Sequence, residues 1–493
     1  MTEQLHADAA ISDPSPSLYN EDLAATAKDR RTWSMWNLAA LWASMAICIP
    51  TYMLASTLIE EGMSWWQANL TVALGNLIVL IPILLNAHAG VKYGVPFPVF
   101  ARASFGVFGA NIPAMLRAIV ACGWFGIQTW IGGWAIYQLL LSIWPNLPAG
   151  DPSAVWPGAL PFACFMVFWA VTLWFILRGT ESIKWMETIA APFLILVGLA
   201  LLFWAVHQAK GWGPMLNQPG QFKTPGEFFK VFVPGLTAMV GFWATLSLNI
   251  PDFTRFARSQ RDQIIGQALG LPTTMTLFAF IGSAVTSATI VIYGKAIWDP
   301  VLLVGHIGGP AITILAIVTL AVATLSTNIA ANVVSPANDF SNLAPKHISF
   351  RTGGIITAII GILIMPWRLY SDPKGYIFTW LVGYSALLGP IGGILICDYF
   401  VIRAKVLNLR ALYRTDGEYR YEKGYNLRAM IALGLAILPN VPGFVITLTG
   451  GEENIWTSIY YYAWFNGFIL AFLLYYMLMK LFPPREAGQS PCA

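Results

Sequence analysis

Charged side chains are scarce in this chain of 493 residues: only 11% are Asp, Glu, Lys or Arg, whereas 57% are hydrophobic. Soluble domains carry about 25% charged residues, so a soluble globular protein is excluded. The mean hydropathy of +0.63 and the repeated long apolar runs indicate a polytopic membrane protein. The net charge of +4 says little about nucleic acid, because the basic residues are spread along the loops. We expect the lipid bilayer as the surroundings and no nucleic-acid partner.

Cysteine and histidine are also few, with five of each. Four cysteines (Cys48, Cys122, Cys164 and Cys397) lie in apolar runs without the spacing of metal ligands, so neither a disulfide framework nor a zinc site is expected. None of the cysteines or histidines is placed as part of a nucleophile–base pair. A membrane-embedded enzyme is therefore disfavoured, and we expect no cofactor.

The apolar runs predict about twelve transmembrane helices in one all-α bundle. They cover residues 36–58, 68–87, 112–144, 160–177, 183–206, 228–250, 264–293, 312–334, 355–367, 376–402, 430–448 and 456–481. We expect a disordered tail over residues 1–30 with no cleavable signal peptide, a membrane domain over 31–483 and a short tail over 484–493. Most of the 28 basic residues fall in loops on the side of both termini. The positive-inside rule therefore places both termini in the cytoplasm of a multi-pass plasma-membrane protein.

Two predicted spans carry helix breakers near their centres. Pro50 lies in the first span, and Pro234–Gly235 and Gly241–Trp243 lie in the sixth. A helix interrupted inside the membrane leaves backbone groups free to bind a ligand. Either proline alone fits an ordinary kink. Because the first and sixth spans open two successive sets of five, the pairing favours an inverted repeat with a site at the membrane midplane.

The eighth span carries four polar residues, Ser326, Thr327, Asn328 and Asn332, at a depth where lipid offers no hydrogen-bond partner. Short hydroxyls beside backbone carbonyls suit a hard cation, and amides suit a small polar ring. The alternative interpretation is that these side chains bond neighbouring helices together, as Ser, Thr and Asn often do in membrane bundles.

Trp124 and Gln128 are four residues apart in the third span, so an indole and an amide share one helix face. A flat heterocycle can stack on the indole and hydrogen-bond the amide, although packing is the alternative role for a membrane tryptophan. The polar residues of these spans cluster at one depth instead of following a continuous path. That arrangement favours a transporter over a channel or a passive facilitator.

Four motifs together give the chain a resemblance to the nucleobase:cation symporter-1 family, the permeases for uracil, allantoin, hydantoins and related rings. They are Y-G-V-P-F-P-V (Tyr93 to Val99), W-F-G-I-Q-T-W (Trp124 to Trp130), N-I-P-D-F-T-R-F (Asn249 to Phe256) and S-T-N-I-A-A-N-V-V-S-P (Ser326 to Pro336). The resemblance implies a five-plus-five inverted repeat of the LeuT type, with repeats over about 33–207 and 228–403 and two extra helices over about 428–482. It also implies secondary active import of a purine, pyrimidine or similar cyclic amide by cation symport.

The resemblance also implies the site. The ring would lie between Trp124 and Trp243, and the other substrate-binding candidates are Gln128, Gly241, Asn332, Asn328 and Cys48, the last being glutamine in hydantoin-type members. Sodium would bind the carbonyls of Ser44, Ile47 and Ala323 and the hydroxyls of Ser326 and Thr327, with a proton as the alternative coupling ion. The start of the tenth span, where Gly383, Gly389 and Pro390 permit bending, would close over the substrate from outside. The particular ring and the oligomeric state stay open.

Overall fold

The computed structural model of this protein describes residues 13–148, 150–151, 156–178, 195–307, 310–369 and 375–484. Within these ranges every regular element is helical, and the extended pairing consists of two isolated bridges, Trp33 with Ala257 and Glu422 with Tyr425. An all-helical bundle is what the bilayer demands, because a helix satisfies its own backbone hydrogen bonds without help from lipid.

The first half of the bundle begins with a bent helix pair and continues through long and short helices in alternation. Its elements are α1 (Met35–Ala46), α2 (Ile49–Glu60), α3 (Trp65–Tyr93), α4 (Phe97–Phe105), α5 (Asn111–Ile143), α6 (Ala159–Arg178) and α7 (Ile195–Gln208). The beginning of the predicted fifth span, residues 183–194, lies outside the described residues. A short connecting helix, α8 (Trp212–Leu216), leads to the second half.

The second half has the same order: a broken helix, a long helix, a short helix and another long helix. Its elements are α9 (Pro225–Phe242), α10 (Ala244–Asn249), α11 (Pro251–Thr254), α12 (Gln260–Tyr293), α13 (Pro300–His306), α14 (Pro310–Asn332), α15 (Val334–Leu343), α16 (Phe350–Leu363), α17 (Pro366–Leu369) and α18 (Val382–Ile396). Two π-helical segments, Gly375–Leu381 and Cys397–Ile402, flank α18. The chain ends with α19 (Leu427–Ile437), α20 (Val441–Thr449), α21 (Ile455–Tyr461) and α22 (Ala463–Leu481).

Eight helices of the described ranges are long and apolar enough to cross a membrane, and the bent α1–α2 pair makes a ninth span. The shorter apolar helices α7 and α16 and the broken helix α9–α10 stand at the positions of the fifth, ninth and sixth predicted spans. The order of elements is therefore consistent with about twelve spans.

The two helix interruptions fall close to the predicted breakers. The axes of α1 and α2 differ by 56°, with Ile47 and Cys48 between them and Pro50 at the start of α2. In the sixth span Trp243 alone separates α9 from α10. The prediction that Pro234 also breaks this span is wrong, because α9 continues through it. A membrane helix tolerates a proline because the neighbouring turns keep their hydrogen bonds.

Small residues bring the first broken helix close to α12. A Cβ atom on Gly266 would lie 2.5 Å from the Met35 carbonyl, and one on Gly270 would lie 2.8 Å from the Cβ of Trp42. Such close approach of two backbones is how membrane helices gain packing energy without a hydrophobic driving force. The interrupted end of α1 is thereby held against a continuous helix.

The segment before α1 is packed, so the expectation of a disordered tail is wrong for residues 13–30. Leu18 and Leu23 are buried, the Ser15 amide donates to the Tyr413 carbonyl (2.8 Å), and the Tyr413 hydroxyl donates to the Leu23 carbonyl (2.8 Å). The polar composition of the tail misled the prediction, because its partners come from a loop almost 400 residues away. Residues 1–12 and 485–493 of the predicted tails lie outside the described residues.

Candidate substrate and cation site

Trp124 lies at the centre of a buried aromatic cluster. Its ring centroid is 5.0 Å from that of Phe242, 6.1 Å from Trp380 and 6.4 Å from Tyr384, each in an edge-to-face arrangement. The Trp124 indole N–H also donates to the Tyr384 hydroxyl at 3.3 Å. The third span thus meets the break of the sixth span and the beginning of the tenth in one cluster of rings.

Trp243 joins the same cluster through its neighbours. Its ring is 4.9 Å from Phe242 and 5.1 Å from Trp42. The predicted pair of indoles, Trp124 and Trp243, therefore belongs to one aromatic assembly in which Phe242 contacts both. Aromatic rings offer faces and edges on which a flat heterocycle can pack.

Polar atoms without partners accompany these rings. Among the described residues no group hydrogen-bonds the Gln128 Oε1, the Trp243 Nε1 or the Trp380 Nε1, although all three atoms are buried. Gln128 and Trp243 are each only 4% exposed. A buried polar group without a partner costs about 1–3 kcal/mol, so one acceptor and two donors are available here to a polar ligand.

Asn328 and Asn332 have different surroundings. The Asn328 amide donates to the Phe125 carbonyl (3.2 Å) and the Thr129 hydroxyl (3.0 Å), and its Oδ1 accepts from Asn332 (3.0 Å). Asn328 thus bonds α14 to α5, which is the alternative role weighed from the sequence. Asn332 is 6% exposed and lies one helical turn after Asn328 on α14. Its side chain is oriented by the hydrogen bond to Asn328.

The residues at the second break are packed too closely for a larger side chain. A Cβ atom on Gly241 would lie 2.1 Å from the Ser385 hydroxyl and 2.9 Å from the Leu381 carbonyl. Glycine is required here because the backbone of α9 touches the beginning of α18. At the first break, the Cys48 thiol lies 3.3 Å from the Thr51 hydroxyl, which donates in turn to the sulfur of Met275 (3.4 Å).

The first break frees backbone oxygens beside the hydroxyls of α14. The Cys48 N–H, which would reach the Ser44 carbonyl in a continuous helix, donates to the Ala46 carbonyl instead (3.0 Å). Ile47 is the C-cap residue, directly after Ala46 at the end of α1. The Thr327 hydroxyl lies 3.5 Å from the Ser44 carbonyl oxygen, and Ser326 and Thr327 are both buried. The structure therefore brings Ser44 and Thr327 together, and Ala323 precedes Thr327 by one turn of α14.

The oxygen set of this break fits a hard cation. Two ligands held at about 2.4 Å from one ion at a right angle lie about 3.4 Å apart, close to the Ser44–Thr327 separation. That separation is long for a hydrogen bond between a hydroxyl and a carbonyl. Carbonyl and hydroxyl oxygens without a carboxylate suit a monovalent cation better than a divalent one.

The three predicted gate residues lie inside α18 and face the C-terminal helices. A Cβ atom on Gly383 would lie 3.1 Å from the Phe444 ring, one on Gly389 would lie 2.7 Å from the Trp464 carbonyl, and Pro390 is 3.0 Å from the corresponding position of Gly467. The irregular backbone lies just before them, in the π-helical segment Gly375–Leu381. The gating role of this region stays a prediction.

Sequence reasoning missed four ring residues of the cluster: Trp42, Phe242, Trp380 and Tyr384. Phe242 stands directly beside Trp243 in the motif, and its position in an interrupted helix was an available signal. The other three come from the first and tenth spans, and their contact with Trp124 and Trp243 depends on how the spans pack. Nothing in the local pattern of their own segments points to that contact.

The matching family model, described as "Permease for cytosine/purines, uracil, thiamine, allantoin", covers residues 26–467. The chain belongs to this family, the nucleobase:cation symporters. It is 47% identical over 481 residues to the purine-uracil permease NCS1 of Arabidopsis thaliana, covering 96% of this chain and 80% of the relative. It is 43% identical over 477 residues to the allantoin permease of Bacillus subtilis, covering 95% and 94%.

A solved structure of the same family has the same fold. The transporter Mhp1, in a closed conformation with bromovinylhydantoin bound, aligns with a TM-score of 0.76 and 27% identity over 95% of this chain and 97% of that one. This similarity confirms the expected fold class, an all-α membrane protein with the five-plus-five repeat and additional C-terminal helices. Because the family consists of permeases, this nucleobase:cation symporter is a membrane transporter and not an enzyme.

Proposed function

We propose that this symporter imports a small, neutral heterocycle with an amide-like edge, such as uracil, allantoin or hydantoin, together with sodium, by alternating access around the aromatic cluster. The observation that carries the proposal is the pair of unpartnered atoms beside that cluster, the Gln128 Oε1 and the Trp243 Nε1. One acceptor and one donor complement the N–H and C=O groups of a cyclic amide.

The side chains proposed to bind the substrate also favour a neutral ring. Gln128, Asn332, Trp124 and Trp243 carry no charge, and burying an ionised substrate among them would be costly. The named relatives support the same class, since one is a purine-uracil permease and another an allantoin permease. In this proposal Asn328 orients the amide of Asn332 and does not itself contact the substrate. Cys48 lies at the break between α1 and α2.

Sodium is the proposed coupling ion because the proposed ligands at the first break are backbone carbonyls and hydroxyls, which do not ionise near neutral pH. The carbonyls of Ser44, Ile47 and Ala323 and the hydroxyls of Ser326 and Thr327 form the proposed ligand set. A cation that links α1 to α14 stabilises the arrangement of the two halves that binds substrate best, and substrate strengthens cation binding by the same factor.

The proposed orientation follows the distribution of charge. Both termini lie in the cytoplasm of a plasma-membrane protein, because the basic residues concentrate on that side. The lid is then extracellular, and Trp380 in the π-helical segment is its best candidate contact with substrate. Its ring packs on Trp124 and its indole N–H has no partner among the described residues. A Trp380→Cys variant in a Cys48→Ser background should be protected by substrate from an external thiol reagent, and equal labelling with and without substrate contradicts the lid.

The test of the proposed function is uptake into proteoliposomes with defined ion gradients. Labelled uracil, allantoin and hydantoin are each offered with an inward sodium gradient at equal pH on both sides, and with a pH gradient in the absence of sodium. We expect saturable uptake of at least one ring, stimulated by the sodium gradient and competed by the other accepted rings. Uptake that follows only the pH gradient contradicts sodium coupling, and uptake that does not saturate indicates a facilitator or channel.

A further inference from the structure

A cavity lies away from the aromatic cluster, at the end of the bundle where the packed segment 13–30 is found. Its volume is about 440 Å³, and its lining includes His88 and Lys92 of α3, Gln260 of α12, and Lys405 and Val406 of the loop after the tenth span. This volume falls within the roughly 300–1,000 Å³ of small-molecule sites. The cavity shares no residue with the proposed substrate or cation site.

Two of the four polar residues that line this cavity, Lys92 and Lys405, carry a positive charge. The Lys92 ammonium donates to the Lys405 carbonyl (3.0 Å), which occupies one of its three N–H groups. The Gln260 amide donates to the His88 carbonyl (2.9 Å), and His88 itself contacts the Tyr399 hydroxyl (2.9 Å). No carboxylate is among the described residues that line the cavity. Two lysines at one space favour an anion.

The backbone fixes one wall of the cavity in an uncommon conformation. Ala404 and Lys405 have φ angles of 48° and 66°, a backbone conformation that residues other than glycine and asparagine seldom adopt. The fold holds them there through bonds from the Lys405 amide to the Tyr399 carbonyl (2.7 Å) and from the Tyr93 hydroxyl to the Lys405 carbonyl (2.9 Å). These bonds fix the backbone from which the Lys405 side chain projects, and Lys405 lines the cavity.

Exposed apolar side chains continue from the cavity toward the middle of the membrane. Ile81 and Leu77 lie seven and eleven residues before His88, so they share its face of α3, and they are 60% and 52% exposed. On the neighbouring helix, Ile264 follows Gln260 by one turn and is 46% exposed. A basic cavity next to exposed apolar side chains of two adjacent helices matches the charged headgroup and the apolar chains of a phospholipid, in that order along the helices.

We propose that this cavity binds the phosphoryl headgroup of an anionic phospholipid, with the acyl chains lying along Ile81 and Ile264. Lys92 and Lys405 contact the phosphate oxygens, and the Gln260 and His88 side chains line the headgroup space. With the orientation proposed above the cavity opens to the cytoplasmic leaflet, where anionic lipids concentrate and basic pockets between helices bind them. The proposal does not depend on which ring is transported.

The test is retention of dioleoylphosphatidylglycerol by the purified full-length protein, measured by native mass spectrometry against dioleoylphosphatidylcholine at equal concentration. The variants are Lys92→Gln, Lys405→Gln and the double variant. The matched control is Lys480→Gln, which removes the same charge from an exposed side chain near the same end of the bundle, over the Tyr476 ring. An attraction of the usual size for a lysine near a lipid surface predicts about a five-fold loss of anionic-lipid affinity for each lysine removed.

The expected result is preferential retention of the anionic lipid by the wild type and the control, and a loss of roughly thirty-fold in the double variant, since the effects of the two lysines multiply. Equal retention of anionic lipid by the wild type and the double variant overturns the proposal. A further arm adds inorganic phosphate and glycerol phosphate at millimolar concentration. If these displace the lipid preference completely and alone stabilise the wild type but not the double variant, the cavity is a site for a free phosphate ester, and the lipid proposal is wrong.

Discussion

The two broken helices of the bundle are interrupted at equivalent positions by different means. Between α1 and α2 the chain is extended at Cys48, a proline follows at Pro50, and the helix axis turns by 56°. Between α9 and α10 one non-proline residue, Trp243, interrupts the helix. The first break frees backbone oxygens beside the hydroxyls of α14, whereas the second places rings beside Trp124. We therefore expect changes at the first break to affect the cation and changes at the second to affect the substrate.

The largest loss of uptake and of stability should come from Gly241→Ala at the second break. The added Cβ would lie 2.1 Å from the Ser385 hydroxyl and 2.9 Å from the Leu381 carbonyl. Overpacking of this kind costs about 1–3 kcal/mol, and it would push α9 away from α18. We expect loss of most uptake and a lower melting temperature of the purified protein.

Two further variants separate local crowding from a general glycine effect. Adding Ser385→Ala removes the nearest atom, so the double variant should recover part of the stability and uptake. In the control Gly434→Ala, the Cβ meets nothing within 4 Å, and helix propensity predicts equal or slightly higher stability. If the Gly241→Ala variant has the same uptake rate and melting temperature as the wild type, the second break can accommodate a larger side chain and the prediction is wrong.

The second largest effect should come from Gln128→Ala, and it should depend on the substrate. If Gln128 Oε1 accepts from the ring as proposed, its loss leaves a substrate N–H unpaired in a dry site, at a cost of about 1–3 kcal/mol or roughly 5- to 150-fold in affinity. Rings methylated at one nitrogen keep the stacking face and lose that donor. We expect the wild type to discriminate such an analogue from its parent and Gln128→Ala to discriminate less.

Asn332→Ala tests the other proposed edge contact in the same competition assay. Its amide is held by Asn328 at 3.0 Å, so the side chain is already oriented before substrate binds. If Asn332→Ala and the wild type separate every methylated analogue from its parent by the same factor, Asn332 binds no substrate edge. It would then serve, like Asn328, to hold helices together.

The sequence predicted the spans and the two breaks well for a physical reason. Lipid allows few structures other than helices, so apolar length alone locates most spans, and the three-residue motif Gly241–Trp243 lies where α9 ends. The sequence could place Trp124 and Gln128 on one helix face because a spacing of four is a local property of one helix. The failures are non-local: the segment 13–30 is ordered by Tyr413, and Trp380 reaches Trp124 from a different half of the bundle. Contacts between residues hundreds of positions apart leave no periodic signal in either segment.

At the first break, Thr327→Val should weaken sodium dependence. Valine keeps the shape and removes the hydroxyl that lies 3.5 Å from the Ser44 carbonyl. A single oxygen ligand contributes about 0.5–1.5 kcal/mol, so the sodium concentration for half-maximal uptake should rise roughly 2- to 12-fold, while the preference among rings stays unchanged. The measurement is initial uptake against sodium concentration in proteoliposomes at fixed pH.

Thr324→Val is the matched control for this prediction. Thr324 lies on the same helix and is also buried, but its hydroxyl donates to the Leu320 carbonyl of its own helix at 2.7 Å. We expect no change in sodium dependence. If Thr324→Val and Thr327→Val raise the sodium requirement equally, the effect belongs to the helix and not to a cation ligand.

The smallest effect should come from Trp124→Phe, compared with Trp243→Phe across a panel of rings. The Trp124 indole N–H already donates to Tyr384 at 3.3 Å, whereas the Trp243 N–H has no partner among the described residues. Phenylalanine preserves an aromatic face, so Trp124→Phe should lose only part of a stacking contribution of about 0.5–1.5 kcal/mol, equally for every ring. Trp243→Phe should instead weaken rings with a carbonyl at that edge more than rings without one. A selective effect of Trp124→Phe together with a uniform effect of Trp243→Phe would reverse these assignments, and the donor to the substrate would then be the indole of the third span.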